Sequence, residues 1–375
     1  MKTSNWKYTL NVVCRWIVGL VFIFSGFVKG VDPMGTTFKV QEYMSAWSIG
    51  SLTFEWAMPF AMYLAVALVT AEFLVGVLLI TNSFRRFSAW LLALMMIFFT
   101  CTTLIDAITN KVTDCGCFGD AVKLTNWQTF WKNILLDIPT AWIFITRNLN
   151  RKNRFERDAI IFVFAAAAML GFAIYNILHE PVIDFRPWKV GNEMVNTDPS
   201  LKVESFVSYQ DNQTGEVVEV PSVKCAEYED DTVRWTCVGT RVSDPHEIKA
   251  DGFSMLDMNG DDCAVDLLSS PDYVLIATIH HLDKIDSRGT ASLCKLAEWA
   301  SDEDVQLVVL TSALPEEVEP FLYKNGLSNL DFYFADATAI ETMTRSNPGY
   351  VLLKNGKVLG KWHYRDVSDV YEYSY

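Results

Sequence analysis

The sequence predicts a helical membrane bundle followed by a water-facing domain that mixes strands and helices. Its 375 residues are too many for one ordinary domain, and 51% of them are hydrophobic. Charge separates the two parts: residues 1–178 carry 15 basic and 10 acidic side chains, whereas residues 179–375 carry 16 and 35. So acidic a second half excludes nucleic acid and anionic lipid surfaces as its partners.

Five apolar runs in the first half are long enough to cross a bilayer. They cover roughly residues 8–28, 58–80, 88–108, 127–145 and 160–178. The first run is too long for the apolar part of a signal peptide and lacks a small-residue cleavage site, so we expect it to be retained. The fourth run is the most polar. Between the first two runs, the aromatic residues of 35–47 recur at helical spacing and indicate either a short interfacial helix or a loop packed on the spans.

Basic residues in the short loops predict an orientation for the five spans. Two lysines precede the first span, Arg85 and Arg86 lie between the second and third, and five basic residues lie between the fourth and fifth. All three sets fall on one side, which the positive-inside rule makes cytoplasmic. We therefore expect an inner-membrane protein with a cytoplasmic N-terminus. The loops 29–57 and 109–126, and everything after 179, would then be periplasmic.

The stretch DCGCFGD (114–120) lies in the second of these outer loops. Gly116 separates Cys115 from Cys117 and is free to adopt the turn that would bring the two sulfurs together. A disulfide in so small a ring would be strained, and strained, exposed disulfides exchange more readily than structural ones. Asp114 and Asp120 flank the pair and favour the disulfide over the thiolate.

Redox chemistry is one interpretation of this pair, and three others remain open. Each thiol could form a structural bridge elsewhere, the pair could be half of a metal site, or both residues could be unreactive in a turn. The five histidines follow no ligand spacing with the pair, so no metal site is predicted. In the second half, Cys225 and Cys237 are expected to form a structural disulfide in the oxidising periplasm.

Three residues inside the spans are further candidates. Glu72 and Asp137 lie near the middle of the second and fourth spans, where an ionisable group costs about 2.5–3.5 kcal/mol. They are either functional residues or interhelical bonding groups. Cys101 lies in the third span, below the cysteine loop. It would either resolve a mixed disulfide or serve as a small buried helix residue.

The second half contains a regular order of predicted elements. A buried strand, a helix, a second strand, a second helix and a hairpin are predicted at 271–279, 287–300, 304–313, 316–326 and 346–363. Short strands are predicted between 180 and 270. The predicted domains are a membrane bundle over 1–180, a β-rich periplasmic connector over 181–268 and an α/β domain over 269–375.

This order of elements resembles the thioredoxin fold. Pro348 stands where that fold has its cis-proline. Thioredoxins carry Cys-x-x-Cys after the first strand, whereas here that loop contains His280 and His281 and no cysteine. The resemblance therefore implies a thioredoxin-like domain that lacks the usual dithiol chemistry.

The membrane half also resembles a known group. The segments RWIVGLVFIFSGFVKGVDP (15–33), AEFLVGVLLI (71–80) and DCGCFGD are similar to those of the DoxX/MauE-like, redox-associated membrane proteins of Bacteroidetes. The resemblance covers about residues 1–180. It implies that Glu72 is the intramembrane glutamate of that group, that Cys115 and Cys117 form its cysteine loop, and that the protein supports disulfide formation in periplasmic partners. The four-helix core is also similar to the vitamin K epoxide reductase bundle, which implies a quinone, although that family carries Cys-x-x-Cys.

Three functional hypotheses follow. In the leading one the protein is a thiol–disulfide oxidoreductase, or electron relay, that uses Cys115 and Cys117 and recognises a periplasmic protein through its second half. In the alternative it is a non-catalytic, membrane-anchored docking module of an envelope complex. A transporter that uses Glu72 and Asp137 is disfavoured because the short-looped spans show no inverted repeat.

Overall fold

A computed structural model gives the fold of the protein. The described residues are 5–49, 52–112, 116–148, 154–250 and 252–371. Contacts divide the chain into two compact units, Met1–Phe185 and Arg186–Tyr375. Each unit has its own buried core and is described by itself.

The first unit is helical. Its helices are α1 (Asn5–Val31), α2 (Pro33–Ala46), α3 (Ala61–Thr81), α4 (Arg85–Thr109), α5 (Asn126–Ile145) and α6 (Phe155–Leu178). A two-stranded ribbon of β1 (Ser48–Ile49) and β2 (Leu52–Thr53), then a 3-10 turn at Glu55–Phe60, connect α2 to α3. The sequence encodes the helix starts: Asp32 caps α2, which begins at Pro33, and Thr125 with Gln128 forms a capping box at α5. The helix predicted within 35–47 is thus confirmed.

Among the described residues, four helices are long and apolar enough to cross a membrane. They are Trp6–Val31, Trp56–Thr81, Arg85–Thr109 and Phe155–Leu178. The predicted fourth span, α5, falls outside this set, and it carries Lys132, Asn133 and Asp137 in its middle. Composition alone therefore gives four spans where about five were predicted.

The packing of α5 nevertheless follows the full length of the bundle. At its start, Asn126 Nδ2 donates to the Asp106 carbonyl oxygen near the end of α4, at 3.4 Å. Just past its end, Thr146 Oγ1 accepts a 2.6 Å hydrogen bond from Asn11 near the start of α1. Helix α5 therefore runs antiparallel to α1 and α4. It reaches the same two ends of the bundle as the apolar helices.

The core of the bundle lies between four helices. Side chains of α1, α3, α4 and α5 share one buried cluster, which includes Val18, Val75, Leu92 and Ile143. Helix α6 packs separately on α3, where Ala165 meets Leu74 and Leu78. The predicted four-helix core is thus confirmed, and α6 lies outside it.

Helices α1 and α3 approach each other unusually closely. A Cβ atom at Gly26 would lie 2.6 Å from the Phe73 backbone nitrogen, and one at Gly76 would lie 2.7 Å from the Gly19 carbonyl oxygen. Only glycine permits this approach, in the way that small residues bring membrane helices together. The consequence is that polar side chains of α1 reach the middle of α3.

The second unit mixes strands and helices. In chain order it contains β3 (Glu204–Asp211), β4 (Val217–Pro221), α7 (Ala226–Glu229), β5 (Trp235–Ser243), α8 (Ala264–Leu268), β6 (Val274–Ile279), α9 (Ser287–Asp302), β7 (Gln306–Thr311), α10 (Pro315–Lys324), β8 (Asp331–Phe334), α11 (Ala337–Met343), β9 (Gly349–Lys354), β10 (Lys357–His363) and α12 (Ser368–Tyr371).

A five-stranded sheet in the order β10-β9-β6-β7-β8 forms the centre of this unit. Strands β6, β7 and β8 are parallel, whereas β9 pairs antiparallel with both β6 and β10. Helix α9 connects the parallel strands β6 and β7, and all six residues of β6 are buried. This is the strand order of the thioredoxin fold with β8 added at one edge. The peptide bond before Pro348 is cis, as predicted.

The predicted β-rich insertion is a three-stranded antiparallel sheet in the order β4-β3-β5. The segments on either side of it join the core of the large sheet. Trp188 and Met194 before the insertion, and Met255 and Leu268 after it, are buried in one cluster with Val351 of β9. The ends of the predicted connector therefore belong to the same hydrophobic core as the thioredoxin-like strands.

Candidate functional site

The loop between α4 and α5 forms a tight turn at its described residues. The Gly119 amide donates to the Gly116 carbonyl oxygen at 3.0 Å, and Cys117 is half-buried between the two glycines. Gly116 and Gly119 have φ values of 63° and 50°, in the left-handed region that favours glycine. The predictions for Asp114 and Cys115, and the pairing of Cys115 with Cys117, lie outside the described residues.

A serine on α1 links this turn to the interior of the bundle. Ser25 Oγ lies 2.8 Å from the Cys117 carbonyl oxygen and 2.7 Å from Glu72 Oε2. A serine hydroxyl carries one proton, whereas both of these neighbours are acceptors in the ionised state of Glu72. The hydroxyl can therefore donate to only one of them at a time, which links the hydrogen bonding of the cysteine turn to the intramembrane glutamate.

Glu72 forms a buried ion pair with Lys29. Lys29 Nζ lies 2.6 Å from Glu72 Oε1, and the two side chains are only 9% and 1% exposed. Ser25 and Lys29 are four residues apart on α1 and so share one helix face. The glycine contact described above holds this face against α3.

Sequence reasoning selected Glu72 but missed its two partners. The predicted first span ends at residue 28, so Lys29 is predicted to lie in a loop, whereas α1 continues to Val31. The signal that was available is a lysine near the end of one apolar helix together with a carboxylate inside another.

A small cavity of about 30 Å³ opens beside Cys117. Its polar lining consists of Ser25, Lys29, Glu72, Cys117, Lys132 and Asn133. Lys132 Nζ lies 4.4 Å from the centre of the Phe118 ring, which holds this second ammonium group at the mouth of the cavity. Such a volume accommodates one or two water molecules but not a quinone ring. The described residues around Cys117 therefore do not fit a quinone.

The other predicted residues of the first unit lie away from this cavity. Asp137 accepts a 3.0 Å hydrogen bond from Thr100 Oγ1, so it joins α5 to α4. Cys101 is exposed on α4 and does not line the cavity. Asp120 is half-buried in a 3-10 turn, Gly119–Ala121, that follows Cys117. Of the intramembrane candidates, only Glu72 is brought together with the cysteine loop.

Cys225 and Cys237, which were predicted to form a disulfide, are not bonded to each other in this structure. Cys225 is buried beside Tyr209, with its Sγ 3.9 Å from the Pro221 carbonyl oxygen. Cys237 is exposed on β5, with its Sγ 3.9 Å from the Gly239 carbonyl oxygen. The two sulfurs thus have separate contacts, and their pairing under oxidising conditions stays a prediction.

The thioredoxin-like mouth of the second unit contains histidines in place of cysteines. Burial lowers the pKa of His280 to about 4, so its ring is neutral at physiological pH. Asn347, next to Pro348, donates from Nδ2 to the His281 carbonyl oxygen at 2.7 Å. Burial raises the pKa of Glu341 to about 7. In the described part of the chain, no group of three or more His, Cys, Asp or Glu residues has the arrangement of a metal site.

The fold and this geometry define a membrane protein in which a helical bundle is joined to a thioredoxin-like domain. Residues 7–146 match the family described as "Methylamine utilisation protein MauE". The match confirms the MauE part of the predicted resemblance, whereas the DoxX part stays a prediction.

Two further proteins are similar to parts of the chain. Protein TlpB of Flavobacterium psychrophilum is 22% identical over 232 residues, which cover 60% of this chain and 59% of TlpB. The chain thus spans less than two thirds of the length of this curated relative. The solved structure of BsSco, a member of the Sco family of cytochrome c oxidase assembly proteins in which a disulfide switch was identified, is 17% identical. It covers 33% of this chain and 91% of BsSco, with a TM-score of 0.25. Our assignment of a thioredoxin fold rests on the strand order described above.

Proposed function

We propose that this protein carries out thiol–disulfide exchange with a periplasmic protein partner through Cys115 and Cys117. The observation that supports this most directly is the position of Cys117. Its carbonyl oxygen is held by the same hydroxyl that contacts Glu72, beside a buried ion pair and a small polar cavity. A cysteine turn with only a structural role needs no such connection to an intramembrane charge.

The exchange starts from a disulfide between Cys115 and Cys117. A partner thiolate attacks one of these sulfurs, which forms a mixed disulfide and releases the other sulfur as a thiolate. The second partner thiol then displaces the first enzyme sulfur and closes the partner disulfide. In total the partner loses two electrons and two protons, and the Cys115–Cys117 pair gains them. Glu72, acting through Ser25, is a positioning residue for the turn.

We propose further that the bundle lies in the inner membrane with its N-terminus cytoplasmic. Two of the basic residues that predict this orientation lie at one end of the bundle: Arg86 Nε donates to Asn148 Oδ1 at 2.8 Å, and Arg157 Nη2 donates to the Thr81 carbonyl oxygen at 3.3 Å. The cysteine turn is at the other end.

Labelling with a membrane-impermeant maleimide tests the orientation. In cells with a permeabilised outer membrane, a cysteine introduced in the second unit at an exposed position, by Leu314→Cys, should react, whereas a cysteine introduced by Asn148→Cys should not. The reverse pattern contradicts the proposed orientation.

The redox state of the cysteine pair tests the exchange itself. Cells are quenched with acid, free thiols are alkylated, and the cysteine peptides are mapped by mass spectrometry. We expect a Cys115–Cys117 disulfide that is converted to two thiols as the partner is oxidised. In the Cys117→Ser variant, the Cys115 thiolate should attack the disulfide of the oxidised partner, release one partner sulfur as a thiolate and stay bound to the other. Cys101→Ser, which alters an exposed cysteine away from the cavity, should behave like wild type.

Two permanently free thiols without a trapped adduct would favour the second candidate, a membrane-anchored docking module. One observation supports that candidate. The thioredoxin-like mouth has no cysteine, and the nearest one, Cys294, lies within α9 with its Sγ 3.7 Å from the Asn325 carbonyl oxygen. Partner capture that is independent of all cysteines would then be expected.

A further inference from the structure

A second cavity lies at the basic end of the bundle, where α1 and α4 begin and α3 and α5 end. It has a volume of about 10 Å³. Its polar lining consists of Asn11, Arg15, Asn82, Arg85, Ser88 and Arg147, and its apolar lining of Leu78, Leu79 and Ile143. Three guanidinium groups, from α1, from the start of α4 and from the turn after α5, thus line one small space, and none of the residues that line it is acidic.

Arg15 is the most unusual of the three. It is only 6% exposed, and its Nε and Nη1 atoms are buried without a hydrogen-bond partner among the described residues. A buried charge without a counter-charge strongly destabilises the folded state. A buried hydrogen-bond donor without an acceptor also destabilises it, but by less. Arg15 is therefore a buried donor that is suited to an anionic hydrogen-bond acceptor.

The other two arginines are held in place around it. Arg85 Nη2 lies 3.4 Å from Asn11 Oδ1. Arg147 Nη1 donates to the Phe144 carbonyl oxygen at 2.7 Å, and its guanidinium lies 4.1 Å from the centre of the Phe144 ring. Arg85 and Ser88 belong to the first turn of α4, where the helix dipole adds positive potential.

The nearby carboxylate is already engaged. Asp158 at the start of α6 accepts hydrogen bonds from the Phe84 amide at 3.1 Å and from Arg157 Nη2 at 2.8 Å. Both oxygens of the Asp158 carboxylate thus accept hydrogen bonds, and Asp158 does not line the cavity as a counter-charge for Arg15.

We infer that this cavity binds a phosphate group. Guanidinium groups match phosphate oxygens in charge and geometry, and their attraction is strong against the apolar walls because the local dielectric is low. The volume admits one oxygen atom, so the rest of the group stays at the mouth. Because the mouth of the cavity lies at the end of the bundle, it lies at the depth in the membrane where the headgroups of anionic phospholipids lie. Free phosphate offers the same chemistry.

The test uses the full chain in nanodiscs of phosphatidylcholine, with or without phosphatidylglycerol. Native mass spectrometry measures the retained phosphatidylglycerol. We expect Arg147→Gln, which alters a half-buried arginine, to lower retention about tenfold, since a charge-assisted hydrogen bond is lost. The matched control is Arg86→Gln, which removes an exposed arginine in the first turn of α4 that does not line the cavity and should retain lipid like wild type. Arg15→Gln should resemble Arg147→Gln.

Inorganic phosphate distinguishes the two sources. It is titrated against the protein in nanodiscs of phosphatidylcholine alone, and the midpoint of thermal unfolding is followed. A rise for wild type and Arg86→Gln, but not for Arg147→Gln, supports the same site with soluble phosphate as the ligand. Equal lipid retention by wild type and Arg147→Gln, together with no effect of phosphate, overturns the inference. The result for Arg147→Gln decides the matter even where Arg15→Gln does not fold.

Discussion

Replacing Glu72 by glutamine removes the negative charge of the buried pair and leaves Lys29 charged among apolar helices. At 2.6 Å and an effective dielectric constant near 20, the attraction between the two charges is about 6 kcal/mol. Part of that attraction offsets the cost of removing both ions from water. Losing one partner of a buried pair therefore costs about 3–5 kcal/mol. We expect Glu72→Gln to lower the free energy of unfolding by this amount.

The assay is unfolding of the full chain in mixed micelles by titration with sodium dodecyl sulfate, followed by tryptophan fluorescence. Lys29→Met should lower the free energy of unfolding comparably, because it leaves Glu72 as the uncompensated charge. The double variant carries no charge at positions 29 and 72. Its loss should be close to that of one single variant, with a coupling free energy of about 2 kcal/mol or more.

Glu42→Gln serves as the control because it breaks an exposed pair. Lys39 Nζ and Glu42 Oε2 lie 2.7 Å apart, but their side chains are 26% and 40% exposed. The expected loss is below about 1 kcal/mol. If the Lys29 and Glu72 effects add to within about 0.5 kcal/mol, the two charges are not coupled and the inferred pair is wrong.

Three further predictions use the same chain. Gly26→Ala should lower the free energy of unfolding by about 1–3 kcal/mol, measured by the same titration, because its methyl group would meet the α3 backbone. Ser25→Ala should raise the alkylation rate of Cys117 severalfold, measured by mass spectrometry, because the turn loses its bond to α1. His280 keeps a pKa of about 4 in the folded state against about 6.5 unfolded, so the unfolded state takes up a proton first as the pH falls. The second unit should then lose about 3 kcal/mol of stability between pH 6.5 and pH 4, relative to His280→Gln.

Matched controls accompany these three predictions. Gly171→Ala, where a Cβ atom meets nothing within 4 Å, should leave stability unchanged or slightly raised. Ser45→Ala, whose hydroxyl bonds only within α2, should not alter Cys117 alkylation. Protonation of Glu341 changes the free energy of unfolding in the opposite direction, because its raised pKa favours the folded state as the pH falls. Glu341 is present in both wild type and His280→Gln, so their difference reports the histidine alone. If the free energy of unfolding changes with pH in the same way in wild type and in His280→Gln, the lowered pKa of His280 is refuted.

Much of the fold could be predicted because it is encoded locally. The apolar runs, the capping residues around Asp32 and Thr125, and the buried strand β6 are all visible within short windows of sequence. Strand β8 and helix α11 were not predicted. They contain four and seven residues, and the residues of β8 are only partly buried, so no clear periodicity marks them.

The candidate site was predictable only in part. Glu72 was visible as a charge in an apolar helix, but Ser25 gave no signal by itself. Contacts between residues far apart in sequence decide such pairings, as with Trp188, which joins the core of strands that begin nearly ninety residues later. The arginine cavity shows the same limit, since Arg85 and Arg147, which were used only as orientation signals, come together with Arg15 only in three dimensions.

The pairing of Lys29 with Glu72 also constrains how the protein is made. The two residues are separated by 43 positions, and α2 lies between their helices. At about 5–20 residues per second, the ribosome completes Glu72 about 2–9 s after Lys29. During that interval α1 carries a lysine whose partner does not yet exist. Because Lys29 is in the last turn of α1, its long side chain can extend to the membrane surface and keep the ammonium group in water until then. Burial of the ammonium group, and closure of the site beneath the cysteine turn, is thus a late event that follows insertion of α3.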